Sequence, residues 1–139
     1  MKNLQARISA NLMKAFCYVA LSLCLAPPGA AQQLVREFSG TENTVTAEFK
    51  VESPWLLDWR LDADFEQLVA LDITLVDAKT GLNVGRVLYT KQRGNGLKLF
   101  ETSGTYRLRI SSTLARWRVR IQQISPEEVE KYTPRGEPG

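Results

Sequence analysis

Five arginines in the last third of the chain alternate with apolar residues. Arg107 and Arg109 separate Tyr106, Leu108 and Ile110, and Arg116, Arg118 and Arg120 separate Trp117, Val119 and Ile121. A guanidinium is planar and permanently charged, and its fork of N–H donors matches a carboxylate or a phosphate. An array of them binds anions without acting on them. Residues for catalysis are scarce by comparison. The chain contains no histidine, and its two cysteines, Cys17 and Cys24, both lie in an N-terminal apolar run. Ser-His-Asp, Cys-His and histidine-metal sites are therefore excluded. Asp62 and Asp64 are a carboxylate pair of the type that glycosidases use, but nothing in so small a chain suggests the cleft they would need. The reading is a non-enzyme with no catalytic residue, no metal site and no cofactor.

Two further constellations bear on binding. Asp62-x-Asp64-x-Glu66 has the spacing of a calcium loop but lacks the glycine and the distant bidentate acid of an EF-hand. It reads as a solvated acidic loop. Trp55, Trp59, Trp117, Tyr89 and Tyr106 would form a sugar-stacking platform if they were exposed. Trp55 and Trp59, however, share a face with Leu57 and Leu61, and Trp117 shares one with Val119 and Ile121, which makes them core residues.

Strict alternation over Gly104–Ile124 predicts two strands, because successive side chains point to opposite faces of a sheet. Joined as a hairpin, they would place all five arginines on one face. Like charges directly opposite one another are destabilising, so either carboxylates such as Glu48, Asp58 or Asp72 neutralise this face or it meets an anionic partner. Such a partner would be an anionic envelope polymer or an acidic protein surface. Nucleic acid is not expected, because the charge of the exported chain is balanced.

Export is read from the N-terminus. Lys2, Arg7 and Lys14 precede the uncharged run Ala15–Ala26. Pro27, Pro28 and Gly29 break that run, and Gly29-Ala30-Ala31 supplies small residues for cleavage after Ala31. This is the pattern of a signal peptide over residues 1–31, with Met13 as an alternative start. The apolar run is shorter than the roughly 20 residues of a membrane span. Beyond it no transmembrane span is expected, and the destination is periplasmic or extracellular. Removing residues 1–31 turns the full-chain net charge of +3 into 15 basic against 15 acidic residues and takes both cysteines away. Residues 32–78 carry 3 basic and 10 acidic side chains, and residues 79–124 carry 10 and 1.

The remaining chain punctuates into short strands. Thr44–Val51 places Val45, Ala47, Phe49 and Val51 on one face. Pro54 interrupts the ladder, having no N–H to donate. Leu68–Val76 turns Val69, Leu71, Ile73 and Leu75 inward. Asp77–Gly81 is a turn, Gly85-Arg86 suggests a bulge in the following strand, and Asn95-Gly96 is the signature of a hairpin turn. Ser125 caps one helical turn in the tail. The sum is an all-β antiparallel sandwich of seven to eight strands over residues 32–125, with a jelly roll as one form of it, followed by a tail over residues 126–139.

LVALDITLVDAKTG, GTYRLRI and WRVRI, spread over Leu68–Ile121, resemble small secreted bacterial jelly-roll modules of the pre-peptidase C-terminal kind. SPWLLDW together with RWRVRI is similar to other secreted β-sandwich families. The resemblance implies a sandwich fold and a non-catalytic accessory role. The leading expectation is an exported, envelope-associated binding module acting through Arg107, Arg109, Arg116, Arg118 and Arg120. The alternatives are a carbohydrate-binding module using exposed aromatics, and a structural component of a larger complex.

Overall fold

Alternating apolar side chains in β4 (Trp55–Asp62), β5 (Ala70–Asp77), β8 (Gly104–Thr113) and β9 (Arg116–Gln123) drive two sheets together. Trp55, Leu57, Leu71, Ile73, Leu75, Leu108, Ile110, Val119 and Ile121 are all buried between them. Each side chain of this size contributes about 1.5–3 kcal/mol on burial. The computed structural model describes residues 32–133. The expected signal peptide over residues 1–31 and the end of the tail, residues 134–139, lie outside the described residues.

The other strands are β1 (Gln33–Gly40), β2 (Thr44–Val45), β3 (Phe49–Val51), β6 (Asn83–Thr90) and β7 (Gly94–Phe100). One sheet has the order β1-β9-β4-β7. The other runs β2-β8-β5-β6, with β3 also on the β2 side of β8. All pairings are antiparallel. Counting β2 and β3 as one interrupted strand gives eight strands, and every connection except β5–β6 crosses between the sheets. That order is a jelly roll. A short 3₁₀ turn, Pro126–Glu128, leads into α1 (Val129–Tyr132), which packs on β7. Ser125 is the N-cap of the 3₁₀ turn, as the sequence suggests, but its side chain makes no cap hydrogen bond; its backbone N–H donates to the Glu128 carboxylate at 3.1 Å.

Several turns match the sequence reading. Asp77 Oδ1 accepts the N–H groups of Lys79 and Thr80 at 2.8 and 2.9 Å, and Gly81 closes the turn at φ +72°. Along β6 the register slips twice, leaving Val84 and Val87 unmatched on either side of Gly85-Arg86. The expected bulge is therefore a pair of bulges flanking that dipeptide.

Four expectations are corrected. First, β8 and β9 do not form a hairpin. They belong to opposite sheets, joined by an arch through Leu114 at φ 48°. In a hairpin both apolar rows would line a single sheet. The arch lets Tyr106, Leu108 and Ile110 meet Trp117, Val119 and Ile121 across the core. Second, Asn95-Gly96 is not a turn. Both residues lie inside β7, paired with Arg60 and Trp59. A Cβ on Gly96 would come within 2.8 Å of Trp59 Nε1, so the glycine makes room for an indole rather than for a reversed chain. Third, Trp59 is half-buried at the sandwich edge, whereas Trp55 and Trp117 are buried. Fourth, an extra residue between β2 and β3 inverts the expected faces over Val45–Ala47, while Phe49 and Val51 are buried as expected. Val45 pairs with Arg109 on the outside, and Thr46 is buried in place of Ala47. One residue of slip exchanges the two faces of a strand.

Candidate functional site

Separating β8 from β9 also separates the arginines. Arg107 and Arg109 project from the outer face of the five-stranded sheet. Arg116, Arg118 and Arg120 project from the opposite side of the molecule, the outer face of the four-stranded sheet. The single five-arginine face expected from the sequence is thus two faces, and each is built differently.

On the five-stranded sheet, Arg107 lies 3.6 Å from Glu48 and Arg109 donates to Asn83 Oδ1 at 3.1 Å. Asp72, expected to serve this face, instead takes Arg86 at 3.1 Å, and Arg86 also lies over the Tyr89 ring. This face is a sparse set of local pairs.

The four-stranded sheet carries a denser grid, because paired residues of antiparallel strands point to the same side. Its rows follow from register. In the first, Glu37, Arg120 and Asp58 stand side by side on β1, β9 and β4. In the second, Ser39, Arg118, Arg60 and Asn95 run across all four strands. In the third, Arg116 faces Asp62. Glu37 lies 3.5 Å from both Arg118 and Arg120. The second row contains no carboxylate at all. Arg60 stands opposite Arg118, and among the described residues no carboxylate comes within 4.0 Å of Arg60.

Two open depressions flank Arg60. One, of about 490 Å³, is lined by Ser39, Thr41, Arg60, Asp62, Arg116 and Arg118. The other, of about 340 Å³, is lined by Asp58, Arg60, Asn95 and Leu97. Arg60 was not among the residues singled out from the sequence. Along β4 it stands between two acids, Asp58-x-Arg60-x-Asp62, and only the register with β9 reveals that it faces an arginine.

Arg116 does something different from Arg118. Its guanidinium forks onto two carboxylates, one at the end of β4 and one in the β4–β5 loop, reaching Asp62 Oδ2 at 2.9 Å and the Asp64 oxygens at 2.9 and 3.0 Å. Arg93 joins from the β6–β7 turn, pairing with Glu66 and lying 3.9 Å from Asp62. Hydrogen bonding from Arg116 holds both Asp62 and Asp64 below the ordinary carboxylate value of 3.8, and the same bonds raise the Arg116 pKa. The depressed values set the sign of the pH response. The stabilisation these pairs give is present above 3.8 and is lost as the pH falls through the lower folded-state values. Carboxyl NMR titrations of Asp62 and Asp64 are therefore expected to have midpoints below 3.8, and Arg116→Gln should return both toward it.

The proposed aromatic platform is dispersed. Trp55, Trp117 and Tyr106 are buried, Trp59 is half-buried, and Tyr89 is exposed on the outer face of the five-stranded sheet. Among the described residues no helix is long and apolar enough to cross a membrane. No family model matches the chain, and no curated protein matches it.

Proposed function

We propose that the protein is an exported, envelope-associated, non-catalytic binding module that recognises an anionic group through the outer face of its four-stranded sheet. The observation that carries this reading is the Arg60–Arg118 pair. Two like charges placed directly opposite each other destabilise a sheet; Arg118 has Glu37 at 3.5 Å, but among the described residues no carboxylate comes within 4.0 Å of Arg60. An anion seated between the two guanidiniums would remove the repulsion and accept forked hydrogen bonds from both. Ser39 and Asn95 at the ends of the same row add polar groups for hydroxyls on the ligand. An acidic polymer of the cell envelope or an acidic protein surface has this chemistry. Of the five arginines that alternate along β8 and β9, Arg118 is at the centre of the site and Arg120 at its edge. Arg107 and Arg109 belong to the other side of the molecule, and Arg116 positions a loop. The resemblance to pre-peptidase C-terminal modules agrees with a role without catalysis, and the N-terminal pattern supports export.

The test is retention of the domain on immobilised polygalacturonate and on polyglutamate. Binding to at least one is expected, and it should weaken as salt is raised, since exposed charges are screened beyond roughly 10 Å at 0.1 M. Arg60→Gln combined with Arg118→Gln should weaken it about tenfold or more, a loss of about 1.4 kcal/mol. The same double change should leave the melting temperature unchanged or slightly higher. Arg107→Gln with Arg109→Gln should leave binding intact. Salt-insensitive retention that survives the Arg60/Arg118 change would overturn the proposal.

A further inference from the structure

Three large apolar side chains stand in solvent at one end of the sandwich. Phe65 and Leu68, in the β4–β5 loop, are 62% and 61% exposed, and Leu114, in the β8–β9 arch, is 55% exposed. Phe65 and Leu114 line one depression together with Thr41, Glu42 and Asp64, and Phe65 and Leu68 line the adjoining one. The patch is therefore continuous. It is also held in place. Leu68 N–H bonds to Phe65 O at 3.3 Å, Ala63 and Val69 anchor the two ends of the loop in the core, and Arg116 and Arg93 hold its two carboxylates, Asp64 and Glu66.

Leu114 adds a second, independent signal. At φ 48° it occupies the left-handed region, where a branched side chain is strained and glycine is not. The arch needs that backbone turn but does not need a leucine, whose side chain reaches solvent rather than the core. Strain and exposure at a single residue point to a role outside the fold.

We propose that this tip docks a protein segment carrying both apolar and basic side chains. Charge selects the occupant. The residues lining the two depressions include three acids, Glu42, Asp64 and Glu66, against one cation, Arg116, so this lining is net negative. Two copies meeting tip to tip would oppose like-charged rims, and an anionic membrane would be repelled. A basic segment gains attraction from the rim while its apolar side chains cover Phe65, Leu68 and Leu114, the arrangement of an apolar centre within a polar border found at protein interfaces.

The experiment measures binding of the domain to short synthetic peptides by fluorescence anisotropy. One peptide combines leucine with lysine, a second leucine with glutamate, and a third serine with lysine. The leucine–lysine peptide should bind, with both others weaker by about tenfold or more. Leu114→Gly and Phe65→Ser should each weaken that binding by about tenfold, within the range of interface anchors. Leu114→Gly relieves the left-handed strain, so it should melt at the same temperature as the parent or higher, which separates lost binding from lost folding. Arg60→Gln with Arg118→Gln should leave peptide binding unchanged, which keeps this test independent of the anion site. Equal binding of the serine–lysine peptide would reduce the effect to charge alone and overturn the proposal. So would binding indifferent to Leu114→Gly and Phe65→Ser. Association with anionic vesicles, or dimerisation, that depends on these two residues would assign the tip to a different occupant and overturn it equally.

Discussion

Trp55→Ala is expected to destabilise the domain by about 3–5 kcal/mol, the cost of emptying a fully buried aromatic site. Trp55 is 0% exposed and forms the hub of an aromatic cluster. Its ring stacks on Phe100 at 4.2 Å and 9°, and meets Phe49 and Tyr106 with centroids 5.9 Å away. Its indole N–H donates to Thr102 O at 2.9 Å, so the truncation also removes a hydrogen bond. Small domains have only about 5–15 kcal/mol of stability in total, and the variant should unfold at a much lower urea concentration. Trp59→Ala should cost markedly less, since Trp59 lies at the edge with part of its ring in solvent. A Trp55→Ala loss below about 1 kcal/mol would place that ring outside the core.

The contrast between these two tryptophans shows what alternation can and cannot report. Period-two patterning assigned both to the inner face, and both do point inward. How deeply an inward residue is buried depends on whether another strand covers it. That depends on sheet order, which alternation does not encode. Trp55 faces the β3 and β8 side of the core through Phe49 and Tyr106. Trp59 lies across Gly96 of the edge strand β7. The Asn-Gly dipeptide misled for a related reason. Glycine permits a tight turn, but it equally permits the close approach of a large ring, and the two uses look alike in a sequence.

The site was legible in kind but not in place. Alternating arginines predicted outward-facing cations on strands, and that is what β8 and β9 carry. The short link between them suggested adjacency within one sheet. The structure uses it as an arch between sheets, since that alone brings two apolar rows face to face. Arg60 was invisible because its significance is a register relation to Arg118, 58 residues along the chain. Arg116 was visible, but its role was not. Its two aspartate partners lie in the acidic loop that read as solvated, and the connection between them is three-dimensional.

Thr46→Val is the second change expected to have a large effect, although it replaces one side chain by another of nearly the same shape. Where β2 gives way to β3, the chain carries one more residue than β8 can match. Thr46 N–H still donates to Leu108 O at 2.9 Å, but Leu108 N–H finds the Thr46 hydroxyl at 3.0 Å instead of a backbone carbonyl. The hydroxyl in turn donates to Ala47 O at 2.9 Å. Thr46 is buried and Leu108 fully so, which leaves no water to take over. Removing the hydroxyl strands a buried N–H, at a cost of about 1–3 kcal/mol. Thr46→Ser keeps the oxygen and should cost less than Thr46→Val. Amide hydrogen exchange adds a local readout, because Leu108 N–H should be protected in the parent and in Thr46→Ser and exchange faster in Thr46→Val. A valine variant as stable as the parent, with Leu108 still protected, would show that the bulge closes without the hydroxyl. The whole inversion of faces between Val45 and Phe49 would then need another cause.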